Sequence, residues 1–215
     1  MRFKQFINEE EENGLKDMIE QDCAEFLSKS QREGFLVRGM KGDLTKSSYK
    51  EIVHQTRPDG GSSTVDFYNI GTRMNRQPSD TPLKTHEMLD SWFYYNLGIK
   101  ARSQTVFCFG SSDRGVLETK EYGDPYLVFP IGKFKFVWSD LVTDLFGKVD
   151  GIKWDLDPDI KPEEAIDHFM MGLEYITNGL QHAVQDRYEI MVACSKYYAF
   201  KYEWRPLLEK VLNIK

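Results

Sequence analysis

Three stretches hold side chains suited to chemistry. "EGFLVRGMKG" sets Arg38 and Gly39 behind Phe35, Leu36 and Val37. An arginine there is either a surface residue snorkelling past apolar neighbours or a clamp for an anion. "RSQTVFCFG" brings Ser103 and Thr105 into an apolar run, and "RYEIMV" puts Glu189 inside another. Each has an ordinary alternative. Strand-end arginines are mostly surface or salt-bridged residues. The two hydroxyls can be plain strand residues, and Glu189 can face solvent while Tyr188, Ile190 and Val192 pack inward. A fourth stretch, "RMNRQPSDTPLKTH", gathers Arg73, Arg76, Asp80, Thr81 and His86 ahead of a helix. It reads as a second phosphate contact or an acceptor surface near a helix N-terminus, or else as a solvated loop before a capped helix.

The order arginine, serine, glutamate across "FLVRG", "RSQTVFCFG" and "RYEIMV" resembles the R-S-E class of mono-ADP-ribosyltransferases. "YGDPYLVFPIG" also resembles the family's aromatic-glycine segment ahead of an apolar strand. The likeness spans residues 34–202, although only the short stretches match closely. It implies an α+β fold with a split β-sheet core and flanking helices, and NAD as substrate.

The roles implied are chemically coherent. A guanidinium fork at Arg38 can grip two oxygens of the NAD pyrophosphate. Gly39 would let the ligand approach the backbone closely. Breaking the nicotinamide–ribose bond builds positive charge on the ribose. A fixed carboxylate at Glu189 would lower that barrier, because its attraction strengthens as the charge develops. Ser103, with Thr105 shaping the site, would hold ribose or orient the glutamate. Phe107 or Tyr122 could stack on nicotinamide, and Arg73 and Arg76 could add phosphate contacts.

One departure stands out. Arginine-modifying members carry Glu or Gln two residues before the catalytic glutamate, where this chain has Arg187. The acceptor is therefore open between a protein side chain, a nucleic-acid base and water. Gln104 and Thr105 are milder variations on the serine motif.

Composition narrows the alternatives. The 28 basic and 34 acidic residues give a net charge of −6, which disfavours a non-specific grip on nucleic acid. A nucleic-acid-binding reading would have to rest on Arg57, Arg73, Arg76 and Arg102. Cys23, Cys108 and Cys194 form no CxxC pair, and none of His54, His86, His168 and His182 pairs at ligand spacing. No metal site is expected, and three widely spaced cysteines suit a reducing compartment. No apolar run reaches membrane-spanning length, so no membrane partner is expected.

The positioning elements follow from periodicity. Residues 13–30 read as a helix capped by Asn13, and 35–38 as a strand. Residues 41–81 read as a long polar loop, functional or mobile. "TPLKTHEMLDSWFYYNLG" reads as a helix capped by Thr81, with Pro82 in its first turn and Gly98 at its end. Three strands follow, in "SQTVFCFG", "PYLVFPIG" and "KFKFVWS", and then a short helix capped by Ser139. "WDLDPDIKP" reads as a loop. A long helix over 162–187 has weak points at Gly172 and Gly179. A hairpin of "YEIMVAC" and "YYAFKY" precedes a tail helix.

"MRFKQFINEEE" resembles the short leaders of internal head proteins of T-even-type bacteriophages, with Ile7-Asn8-Glu9 as a cleavage site. The ordinary alternative is a frayed, charged N-terminus. These likenesses imply a leader over 1–12 and one domain over 13–215. The expected activity is transfer of ADP-ribose from NAD to a host protein or nucleic acid, in the host cytoplasm, by a protein that can be packaged in the virion head. The other reading is a non-enzymatic internal head or host-interaction protein on the same scaffold.

Overall fold

The computed structural model describes residues 14–42, 49–56, 62–78, 81–149 and 161–215. The leader, Asn13, Arg57, Asp80 and the loop residues 154–160 lie outside them.

Helix α1 (14–22) and helix α2 (Ala24–Lys29) open the chain, broken at Cys23. The strands are β1 (Leu36–Met40), β2 (Tyr49–Thr56), β3 (Ser62–Gly71), β4 (Val106–Gly110), β5 (Asp124–Pro130), β6 (Lys135–Trp138), β7 (Glu189–Ala193) and β8 (Lys196–Lys201). Between them lie helices α3 (Leu83–Leu97), α4 (Asp113–Thr119), α5 (Leu145–Val149), α6 (Pro162–Met171) and α7 (Leu180–Ala183). Helix α8 (Arg205–Leu212) closes the chain. The fold is mixed α+β. Its eight strands form one open antiparallel sheet in the order β2-β3-β8-β5-β1-β4-β7-β6.

That sheet is nearly two sheets. β1 pairs with β5 along its whole length, from Leu36↔Val128 to Met40↔Asp124. With β4 it pairs only at Leu36↔Gly110 and Val37↔Phe109. Beyond Val37 the strands part, and β4 stays with β7. A five-stranded half and a three-stranded half are therefore hinged on two residue pairs.

The apolar packing divides by face rather than by half: one cluster runs across both halves, and the other lies between the three-stranded half and helices α3 and α6. Phe26, Phe35, Phe129 and Phe200 centre one cluster, with ring centroids 5.6 Å apart for Phe26–Phe129 and Phe129–Phe200. Leu89 and Phe93 of α3, Ile166 and Met170 of α6, and Val137 and Met191 form the other. β7 is covered on both faces: Ile190 and Val192 join the first cluster and Met191 the second. Alternation along a strand then turns Glu189 to the same side as Met191, towards α3 and α6.

Several expectations are corrected. The polar stretch 41–81 contains β2 and β3, paired from Tyr49↔Asn69 to Thr56↔Ser62. β2 is an edge strand, and edges carry charge such as Lys50 and Glu51, so its composition imitates a loop. The segments in "YEIMVAC" and "YYAFKY" are strands but not a hairpin, since β7 lies between β4 and β6 and β8 between β3 and β5. The helix expected over 162–187 stops at Met171, and Gly179 takes φ 72° before α7. Gly98 ends α3 in the left-handed region, but Pro82 rather than Thr81 occupies its N-cap. Ser139 caps no helix; its hydroxyl accepts from Leu141 N, and α5 starts at Leu145.

Candidate functional site

Where β1 and β4 part, a cavity of about 940 Å³ opens. Of the nine residues expected at a site, Arg38, Gly39, Arg73, Arg76, Thr105, Phe107, Tyr122 and Glu189 line it. Ser103 does not. It sits in the turn before β4 rather than in the strand, and its backbone N–H donates to Asp90 Oδ1 at 3.2 Å.

Three guanidinium groups gather around Phe107. Arg38 Nη1 donates to the Phe107 carbonyl oxygen at 3.3 Å, across the gap left by the missing β1–β4 pairs. Arg76 lies 3.9 Å from the Phe107 ring centroid and Arg102 lies 4.8 Å from it. Asp90, on α3, fixes the backbone beneath them by accepting from Arg102 N at 2.7 Å. Ser103 contributes through its carbonyl, which accepts from Arg76 N at 3.0 Å. Thr105 closes the same turn by donating its hydroxyl to Ala101 O.

Among the described residues, no salt bridge involves Arg38, Arg76 or Arg102. Burial, then the charges of Arg38 and Arg102, hold the Arg76 pKa down to about 10, while Glu189 works the other way. Arg102 is 7% exposed and His86 5%, and both line the cavity. Arg102 Nε and His86 Nδ1 are buried without a hydrogen-bond partner among the described residues. Crowded like charges and the unbonded Arg102 Nε donor both cost free energy. A polyvalent anion relieves both. The lining as a whole has five cations (Arg38, Lys41, Arg73, Arg76, Arg102) against three carboxylates (Glu121, Asp144, Glu189). That sign is opposite to the net charge of −6.

Glu189 stands at the start of β7, opposite Phe109 of β4. At 4% exposed it is not a solvent-facing strand position. Its Oε2 accepts from Leu145 N at 3.2 Å, the first N–H of α5. Burial raises its pKa, the Arg102 charge opposes that, and Asp144 adds to the rise. Beside it the Tyr122 ring stacks on Phe109, with centroids 6.3 Å apart. The Tyr122 hydroxyl donates to Asp144 Oδ2 at 3.4 Å. Burial, Asp144 and Glu189 push its pKa up to about 12, so it stays a proton donor at neutral pH.

Gly39 has a packing reason to be glycine beside the expected ligand approach. A Cβ there would run into the Thr119 carbonyl oxygen and lie 2.8 Å from Tyr122 Cβ. The turn Lys120–Tyr122 packs directly on β1 at this point, and this sets where Tyr122 stands.

Arg102, which entered only the nucleic-acid reading, and His86, which entered only as part of the stretch ahead of α3, also line the cavity, as does Asp144, which was not singled out. Asp144 had a sequence signal, since "TDLF" ahead of an apolar run is N-cap chemistry. Arg187 does not line the cavity. Among the described residues there is no group of His, Cys, Asp and Glu able to hold a metal ion. Nor is any helix among them long and apolar enough to cross a membrane.

No protein-family model matches this chain, and no curated protein or solved structure does so either.

Proposed function

We propose that this protein is an NAD-dependent mono-ADP-ribosyltransferase with the split-sheet fold of the R-S-E class. It would release nicotinamide and transfer ADP-ribose to a host protein or nucleic acid during phage infection. The observation that supports this best is that Arg38 and Glu189, far apart in sequence, line one cavity in the opening between β1 and β4. Its volume of about 940 Å³ suits a dinucleotide, since ligand sites run to roughly 300–1,000 Å³.

In this reading the arginines around Phe107 hold the pyrophosphate. Two negative charges there replace the mutual repulsion of Arg38, Arg76 and Arg102 with attraction. Glu189 faces the nicotinamide ribose. As the glycosidic bond breaks, positive charge grows on the ribose next to a carboxylate already fixed by Leu145 N. That pre-set position is what stabilises a transition state without reorganisation. Phe107 already carries Arg76 on its ring, which leaves Tyr122 as the freer aromatic for stacking. Arg102 is buried and Arg76 half-buried in the cavity, so neither builds a surface stripe for a polynucleotide.

Two results are expected. NAD at 100 times its Kd stabilises the protein by about 2.7 kcal/mol, seen as a rise in Tm, and nicotinamide release and an ADP-ribose adduct are detected by mass spectrometry. No Tm shift at millimolar NAD together with no nicotinamide release would overturn the proposal and leave the non-enzymatic reading. Arg38→Gln should weaken NAD binding by about ten- to a hundredfold, the worth of a hydrogen bond to a charged group, measured by calorimetry.

A further inference from the structure

The cavity contains a second carboxylate whose position is set by the same short helix that holds Glu189. Leu145 N, at the first position of α5, donates to Glu189 Oε2 at 3.2 Å. Phe146 N, at the second, donates to Asp144 Oδ1 at 2.9 Å. Asp144 is therefore the N-cap of α5, and capping uses only one of its oxygens. Oδ2 is turned towards the Tyr122 hydroxyl, 3.4 Å away, on the cavity wall. The two carboxylates thus stand side by side on one turn of backbone. The same cavity contains the unbonded Arg102 Nε, which independently marks it as a place for a ligand.

The geometry points to Asp144 as the base that takes the proton of the incoming nucleophile, with Glu189 left to the ribose. This rests on the NAD-cleaving reading above. In the step, the bond from ribose C1′ to the nicotinamide nitrogen breaks and its electron pair leaves with nicotinamide. A lone pair of the acceptor, or of water, forms the new bond to C1′. The proton lost by that nucleophile goes to Asp144 Oδ2. Arg187 stands outside the cavity, so the acceptor-side carboxylate comes from the start of α5 instead. Arg76, Arg102, Tyr122, Tyr175 and Cys108 of β4 are the other charged or titratable groups coupled to the pair.

The test follows nicotinamide release from NAD, with water as nucleophile, in wild type, D144N and D144E. Asparagine caps helices as well as aspartate does, so D144N keeps the cap and removes only the base; Tm confirms that it folds. Release in D144N is expected to fall about a hundredfold, with NAD affinity from calorimetry within about twofold and D144E restoring part of the rate. Wild-type rates in D144N would overturn the assignment while leaving NAD cleavage intact. A loss of NAD affinity in D144N as large as the loss of rate would overturn it in favour of a purely structural cap. Wild type that releases no nicotinamide would sink the parent reading and this one with it.

Discussion

Glu189→Gln should slow nicotinamide release by about a thousandfold while NAD still binds. That is the loss typical of removing one preorganised electrostatic partner of a transition state. Glutamine keeps the shape and can still accept from Leu145 N, so what disappears is the charge. The pH dependence has a definite sign. Folding raises the Glu189 pKa, mainly by burial. In the proposed reaction wild-type activity should therefore fall as pH drops through a point above the ordinary glutamate value, and the residual rate of the variant should lack that contribution from Glu189. Stability runs the other way. A carboxylate with a raised folded pKa destabilises the fold above that pKa, and the penalty vanishes below its unfolded pKa. E189Q should thus melt higher than wild type at neutral pH and at the same temperature in acid. Calorimetric melting across pH checks this. A variant that loses NAD affinity in step with rate would remove Glu189 from the chemistry.

Gly39→Ala is the second large effect. The added methyl meets a backbone carbonyl, that of Thr119, which cannot rotate away as a side-chain tip would. Overpacking of this kind costs about 3 kcal/mol. Either β1 or the Lys120–Tyr122 turn must shift, and both carry site residues, Arg38 on one and Tyr122 on the other. A lowered midpoint in urea, with unchanged slope, and a parallel loss of NAD binding are expected. A variant of wild-type stability with normal binding would mean that the turn is loosely held.

Local features were legible in the sequence. β1, β5, β6 and α8 announce themselves by apolar pattern, and Gly98 by its fitness to end a helix, whereas Gly179 read only as a weak point in a helix that stops at Met171. The candidate site was legible in part, because Arg38, Thr105, Phe107, Tyr122 and Glu189 come from short stretches with chemical content. Pairing was not legible. β7 and β8 are neighbours in sequence joined by Cys194 and Ser195, so a hairpin is the economical reading; only the demand of each strand for two long-range partners separates them. The hairpin of β2 and β3 was hidden because an edge strand needs little apolar surface. Ser103 was misplaced because a strand pattern says nothing of the turn that feeds it. Arg102 and Asp144 matter through burial and neighbours, which a linear reading does not contain.

The passage from β7 straight into β8 also has a consequence for biosynthesis. Residues 189–215 supply an interior strand to each part of the sheet. A nascent chain still lacking them has neither its carboxylate nor the two strands that complete the walls. Ribosome-bound and prematurely terminated products therefore cannot complete the cavity, and two separately expressed pieces divided just ahead of Glu189 would form it only once they met.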